Sequence, residues 1–134
     1  MKSITFTVPL RPKPKGNTHR RSAHGGVFNA KPTKDHERAL KLLCAKYRQA
    51  PLWDGPVSLV VENTYKIPKS GDNRKKQPGE YCTADVGDRG NCLKMIEDAL
   101  QGIIYENDCQ VVDGPVRKKW GTEDCYVVTV EHLI

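Results

Sequence analysis

The chain has 134 residues, 22 Lys and Arg against 16 Asp and Glu, and a formal net charge of +6. That length suits one domain with a single core and is short for two. It holds no apolar run long enough for a membrane helix and does not start with the pattern of a signal peptide, so the expectation is a soluble, cytoplasmic protein with no membrane association. The five cysteines, Cys44, Cys82, Cys92, Cys109 and Cys125, are odd in number and scattered without Cys-x-x-Cys or Cys/His spacing, which argues against a zinc site and for reduced thiols. His19, His24, His36 and His132 are scattered too. Nothing has the arrangement of a Ser/His/Asp or Cys/His nucleophile or of a glycine-rich phosphate loop.

Charge is segregated along the chain. Residues 1–50 carry twelve of the basic residues against Asp35 and Glu37, a net +10, while residues 51–134 carry ten against fourteen acids, a net −4. A cationic front joined to an acid-bearing back suits a protein that draws in phosphate and then presents carboxylates to it. A basic surface that is merely well solvated fits the charge alone equally well.

In chain order, Ser3–Leu10 alternates Ile4, Phe6, Val8 and Leu10 against Ser3, Thr5 and Thr7, the pattern of a strand with one buried face. Residues 11–31 are rich in Pro, Gly and cations and lack periodicity, so a long loop is expected, with Arg11, Lys13, Lys15, Arg20, Arg21 and Lys31 available to a phosphodiester backbone. Phe28 is read as an anchor of this loop in preference to a base-stacking wedge. A helix is expected from Thr33 as N-cap, with Leu40, Leu43, Cys44 and Tyr47 as its apolar stripe and an end before Pro51. Its other face, Lys34, Arg38, Lys41 and Arg48, reads as solvated. Pro56–Lys66, with Val57, Leu59, Val60 and Val61, reads as a buried strand. Residues 66–80 form a second basic loop, read as a flap, with Lys69, Arg74, Lys75 and Lys76.

The stretch from Asp85 to Val112, DVGDRGNCLKMIEDALQGIIYENDCQVV, carries the chemistry. Asp85 and Asp88 stand in a glycine-broken loop. A helix follows over about Asn91–Gln101, with Leu93, Ile96 and Leu100 inward, Lys94, Glu97, Asp98 and Gln101 on the polar side, and Gly102 as the stop. Asp108 lies beyond it. Carboxylates from two loops flanking one helix can converge on a hard cation such as Mg2+, which takes oxygen ligands and keeps several waters. The bland alternative makes Asp85 and Asp88 helix caps and pairs Lys94 with Asp98 at i,i+4, leaving Asp108 and Gln110-Val111-Val112 unexplained. Asn107-Asp108 turns into a strand over Gln110–Trp120, and Gly121–Asp124 turns it back into Cys125–Leu133. These two are expected to form an antiparallel hairpin, with Arg117, Lys118 and Lys119 near its tip. The expected fold is α/β (α+β), one domain over residues 1–134: a mixed four-stranded sheet with a C-terminal antiparallel hairpin and two helices packed on it.

Lys94 with Asp98-Ala99-Leu100, and then Asn107-Asp108-Cys109-Gln110-Val111-Val112, resembles the RusA family of Holliday junction resolvases, small Mg2+-dependent endonucleases of bacteria and their phages. The family pattern is Asp-x-Asp-Asn, a lysine three residues later, Asp-Ala-Leu at the end of the same helix, then Asp-Asp-x-Gln-Val-Val. Laid down without a gap, its first acid falls on Asp88, its second on Gly90 and its asparagine on Asn91. With a three-residue insertion the first acid falls on Asp85, the second on Gly87, and Asp88 takes the asparagine position. Either way a glycine replaces the second carboxylate, and Asn107 replaces a third. The resemblance implies a homodimer that cuts four-way junctions in symmetric pairs, with Asp85, Asp88 and Asp108 as ligands of Mg2+, or of Mn2+ in its place, and Lys94 stabilising the transition-state charge. Competing readings are a branched-DNA-binding protein without catalysis, its metal site disabled by the missing acid, and a metal-dependent nuclease of other branched DNA.

Overall fold

The computed structural model describes residues 2–16, 19–21, 27–29, 31–69 and 76–134, with the backbone alone for 19–21, 27–29 and Lys31. The longest strand organises the rest. Strand β4 (Val57–Lys66) buries Val57, Leu59, Val61, Asn63 and Tyr65 on one face, its other face is partly covered, and it takes the middle of the sheet. Strand β1 (Ser3–Val8) pairs antiparallel with β7 (Cys125–His132), and β7 pairs antiparallel with β4. On the far side of β4 run β5 (Val111–Asp113) and β6 (Val116–Gly121), both parallel to it. The sheet thus has five strands in the order β1-β7-β4, with β5 and β6 sharing the second edge of β4. Helix α1 (Lys31–Cys44) packs on α2 (Arg89–Leu100) and on β1, and α2 packs on β4 and β6. The α+β class is as expected.

Three local expectations need correction. The C-terminal antiparallel hairpin does not form: β4 lies between β6 and β7, and the short turn after Gly121 steps across its end. That end is fastened there, since Lys66 N–H donates to Asp124 Oδ1 at 2.8 Å and Ile67 N–H to the Gly121 carbonyl at 3.1 Å. A short turn between two strand patterns looks like a hairpin locally, but an unsatisfied apolar strand with two open edges outcompetes direct pairing. Second, the single strand expected over Gln110–Trp120 is broken at Gly114-Pro115. Gly114 has φ +128°, and a Cβ there would lie 1.9 Å from the Leu59 carbonyl oxygen, so glycine alone permits this bend against β4. Third, the 11–31 loop contains a two-stranded ribbon, β2 (His19–Arg21) with β3 (Val27–Asn29). Phe28 lies in β3, and its side chain is outside the described residues, so neither role proposed for it is addressed.

Helix α1 starts at Lys31, two residues before Thr33, with Pro32 inside its first turn, where proline costs no hydrogen bond. Leu40 and Cys44 are buried as expected, Leu43 is largely outward, and Tyr47 stacks on Phe6 with ring centroids 4.2 Å apart. Helix α2 turns Cys92, Met95, Ile96, Ala99 and Leu100 inward. Met95, Ile96 and Leu100 each contribute roughly 1.5–3 kcal/mol when fully buried. The five cysteines are unpaired. No helix among the described residues is long and apolar enough to cross a membrane.

Candidate active site

Helix α2 begins where the acidic loop ends, and Asp88 sets that boundary. It has extended backbone angles, its Oδ1 accepts the Asn91 N–H at 2.8 Å, and its Oδ2 accepts from Asn91 Nδ2 at 3.0 Å. This is an N-cap, worth about 1 kcal/mol, on a side chain that stays exposed. Asp85 is exposed and makes no hydrogen bond or ion pair with another described residue. It borders a cleft of about 330 Å3 with Arg11, Lys13, Pro14 and Gly87.

The two glycines that stand for the family's missing acid differ. Gly87 has φ +104°, and a Cβ there would meet the Pro14 ring at 2.5 Å. The basic segment 11–15 therefore occupies the space a side chain would need. At Gly90 the nearest atom to a Cβ would be Asp88 Oδ1 at 3.5 Å, an ordinary contact.

Two turns into α2, Lys94 joins the helix to the segment beyond it. Its Nζ lies 2.6 Å from Asp108 Oδ2 and 3.2 Å from Asp98 Oδ1. The i,i+4 pair is therefore present, and Asp108 is present with it. Asp108 is held by its backbone as well: its N–H donates to Gln101 Oε1 at 3.1 Å, and it opens a short 3-10 turn (Asp108–Gln110) capped by Asn107. Gln110 completes that cap and donates from Nε2 to the carbonyls of Trp53 and Gly55, so its part is structural. The hydrogen bond to Asp108 raises the Lys94 ammonium, and the same bond lowers the Asp108 carboxyl; both stay charged over a wide pH range.

Asp98, with a side chain 10 % exposed, also takes Lys15 Nζ on its second oxygen at 2.5 Å. Lys15 reaches Glu37 Oε1 of α1 at 3.3 Å, and its backbone N–H donates to the Asn91 carbonyl at 2.9 Å. Partial burial opposes charge on Lys15, but the Asp98 bond and the Asp98 and Glu37 charges outweigh it and raise its ammonium. An alternating chain of charges, Glu37, Lys15, Asp98, Lys94 and Asp108, thus ties α1, the basic segment, α2 and the 3-10 turn together. Burial raises the neighbouring Glu97 carboxyl, against the pull of Lys94. In the sequence Asp98 is visible as the i,i+4 partner of Lys94 and as part of the Asp98-Ala99-Leu100 block, while Lys15, 83 residues away, is too distant to be linked to it.

The basic segment is fastened elsewhere too. Arg11 pairs with Asp124 at 2.9 Å and lies over the Tyr65 ring, and Lys13 N–H donates to Tyr126 Oη at 3.1 Å. Tyr126 Oη meets His36 Nε2 at 2.8 Å. Burial, then the Lys13 charge, pull the His36 imidazole down to about 4. Of the expected DNA contacts, Lys13 and Lys69 are exposed, Lys76 lies over the Trp120 ring, and Arg20, Arg21 and Lys31 are placed by backbone alone. Arg74 and Lys75 lie outside the described residues. Lys41 donates to the Gln101 carbonyl at 2.6 Å and Arg48 to that of Gly102, cations at the end of α2 where its dipole favours them.

Among the described residues, no three His, Cys, Asp or Glu side chains gather into a ready-made metal cage. The donors at hand, Asp85, Asp88 and Asp108, are all oxygen and open to water. That suits a hydrated Mg2+ or Mn2+ held through one or two carboxylates, and does not suit a dry cage.

Two comparisons bear on this site. The chain is 32 % identical over 140 residues to the uncharacterized protein YqaN of Bacillus subtilis (strain 168), with 99 % of each chain covered. The family model for endodeoxyribonuclease RusA matches residues 9–131, which include the basic segment, the acidic loop, α2 and Asp108. On that match the chain belongs to the RusA endodeoxyribonuclease family.

Proposed function

We propose that this chain is a divalent-metal-dependent endonuclease that resolves four-way DNA junctions by paired, symmetric cuts, acting as a cytoplasmic homodimer in recombination and repair in a bacterial or phage-infected cell. The observation that carries the proposal is the Lys94–Asp108 contact at 2.6 Å, which joins α2 to the turn after it within the family-matched span. Asp85, Asp88 and Asp108 are the residues that would hold Mg2+ or Mn2+, directly or through water. When bound, such an ion supplies an activated water nucleophile and neutralises the charge that builds on phosphate and leaving oxygen.

The chain's own residues do the rest. Arg11, Lys13, Lys69 and Lys76 draw in the backbone, and Arg20, Arg21, Lys31, Arg74 and Lys75 are assigned the same role from their charge in the sequence alone. Lys94 is half-exposed and already cationic, so it can turn from Asp108 toward a phosphate without gaining a proton. Asp98 keeps a hold on Lys94 at 3.2 Å as it turns, which limits the ammonium to a small arc.

A second reading, branched-DNA binding without cleavage, draws on one observation: both Asp88 oxygens serve the helix cap. A third, cutting of other branched DNA, would use the same residues. One experiment separates junction cleavage from binding alone. Labelled four-way junction and linear duplex of the same sequence are incubated with Mg2+ or EDTA, beside Asp108→Asn. Paired nicks on the junction alone, absent with EDTA and in the variant, are expected for a resolvase. Retarded but intact junction under every condition would establish binding alone.

A further inference from the structure

A second feature lies on the outer edge of β6. The chain returning from the 66–80 loop runs along that edge as an irregular antiparallel addition. Gly79 N–H donates to the Trp120 carbonyl, Trp120 N–H to that of Glu80, and Cys82 N–H to that of Lys118, each at 2.8 Å. Cys82 points inward and joins Tyr65 and Trp120 in a small apolar cluster. Alternation then sends Tyr81 outward, where it is 68 % exposed with the Lys119 ammonium 5.8 Å from its ring centre. The ring is thus held out on a backbone that is pinned on both sides.

Beside it opens a cleft of about 390 Å3 whose wall includes Tyr81, Arg89, Pro115, Arg117 and Lys118. A second opening of about 390 Å3 shares Arg89, Pro115 and Val116 with it and adds Gly90, Leu93 and Gly114. Together they form a groove from Tyr81, past the bend at Gly114, to the face of α2 one helical step from Lys94. Lys118 donates to the Gly87 carbonyl at 3.0 Å, so it fixes the acidic loop to this wall. Arg89 and Arg117 have no ion-pair or hydrogen-bond partner among the described residues. A flat exposed aromatic on a groove, beside guanidinium groups that lack partners among the described residues, matches a nucleotide: a base to stack and phosphates to pair.

We propose that the groove along the β6 edge is a subsite for an unpaired nucleotide of the DNA strand next to the cut, with its base stacked on Tyr81 and its flanking phosphates met by Arg89 and Arg117. The proposal rests on the nuclease reading above and says where one strand leaves the helix stack. Because stacking is sequence-tolerant, it gives affinity for an opened strand without fixing which base is held.

The test is equilibrium binding in EDTA by fluorescence anisotropy, with three probes: a four-way junction, a twelve-nucleotide single strand, and blunt duplex. Tyr81→Ala should weaken single strand and junction by about five- to a hundred-fold, the range for losing one base stack, and blunt duplex far less. Tyr81→Phe, which keeps the ring, should bind within about three-fold of wild type. Arg117→Ala should lower the slope of log affinity against log salt by about one on the single strand. Unchanged thermal stability of Tyr81→Ala is expected from its exposure. If wild type binds the probes and Tyr81→Ala binds them equally, or if Tyr81→Phe fails as badly as Tyr81→Ala, the subsite is overturned and the nuclease reading stands. If wild type binds none of the three, both fall together.

Discussion

The two ends of α2 hold similar numbers of charged side chains and put them to opposite uses. From its middle to its C-terminal end Lys94 and Asp98 are locked into a chain of ion pairs that runs on to Lys15, Glu37 and Asp108, and the last carbonyls are covered by Lys41 and Arg48. At its N-terminal end Asp85 and Arg89 stand without partners among the described residues, and clefts open on either side. A count of acids and bases does not distinguish the two. Pairing does: charge that is satisfied internally holds segments in place, and charge left over is available to a ligand. Lys94 sits at the boundary, half-exposed and paired to an acid that belongs to the proposed metal set.

The largest expected effect comes at that boundary. If Lys94 stabilises charge in the transition state, Lys94→Met should lower kcat by about a hundred- to a thousand-fold and leave KM nearly unchanged. Single-turnover cleavage of a labelled junction measures it. A loss confined to KM would instead make Lys94 a binding residue and dissolve the distinction between the two ends of the helix.

Next is the open end. Gly114→Ala should cost roughly 2–4 kcal/mol, because the new methyl falls on the Leu59 carbonyl and the backbone there is left-handed. A shift in the urea midpoint with unchanged slope would report it. A cost below about 1 kcal/mol would mean that β5 and β6 tolerate another path past β4, and that the groove is not shaped by this residue.

These two positions also show what could be read in advance. Lys94 and Asp108 were legible because motif spacing fixes them on one helix and the turn after it, and local periodicity placed that helix to within a few residues. The position of β4 between β6 and β7 was not legible, because Thr122–Asp124 forms the same kind of short turn whether it joins neighbours or spans a third strand. The signal that favoured the true order was the length of β4 and its apolar start, Val57 and Leu59-Val60-Val61, set against the polar Arg117-Lys118-Lys119 of β6, which marks a centre and an edge. Asp98 was visible as a helical pair, but its second partner, Lys15, lies 83 residues away in a stretch without periodicity. Nor did the sequence distinguish Asp85 from Asp88. The structure separates them by occupation, since Asp88 caps α2 and Asp85 makes no such bond.

The closed end predicts a smaller, structural cost. Asp98→Asn keeps the shape but removes the charge that two ammonium groups share, and it should destabilise by about 1–2 kcal/mol, less than a fully buried pair because Lys94 retains Asp108 and Lys15 retains Glu37. Its cleavage defect should be in kcat, through a less constrained Lys94, with binding of junction DNA intact. A variant as stable as wild type would show that the ion-pair chain contributes nothing net, as many exposed pairs do.

The smallest effect tests how the basic segment is held against that closed end. His36 is 7 % exposed, accepts or donates at Tyr126 Oη, and titrates near 4 in the fold instead of near 6.5 when unfolded. Well above pH 6.5 both states carry a neutral ring and the group contributes no pH dependence. As pH falls toward 4 the unfolded chain takes up a proton that the folded chain refuses, so stability declines through that window, by about 1–2 kcal/mol after allowing for nearby water. Glu97, raised by burial, works in the opposite direction at the acid end, so the comparison must be with His36→Asn, which keeps Glu97 and removes the imidazole. Urea unfolding at pH 7.0, 5.5 and 4.5 should show wild type losing stability more steeply than His36→Asn. Equal slopes would place His36 in water in the native state and leave Tyr126 alone to hold Lys13.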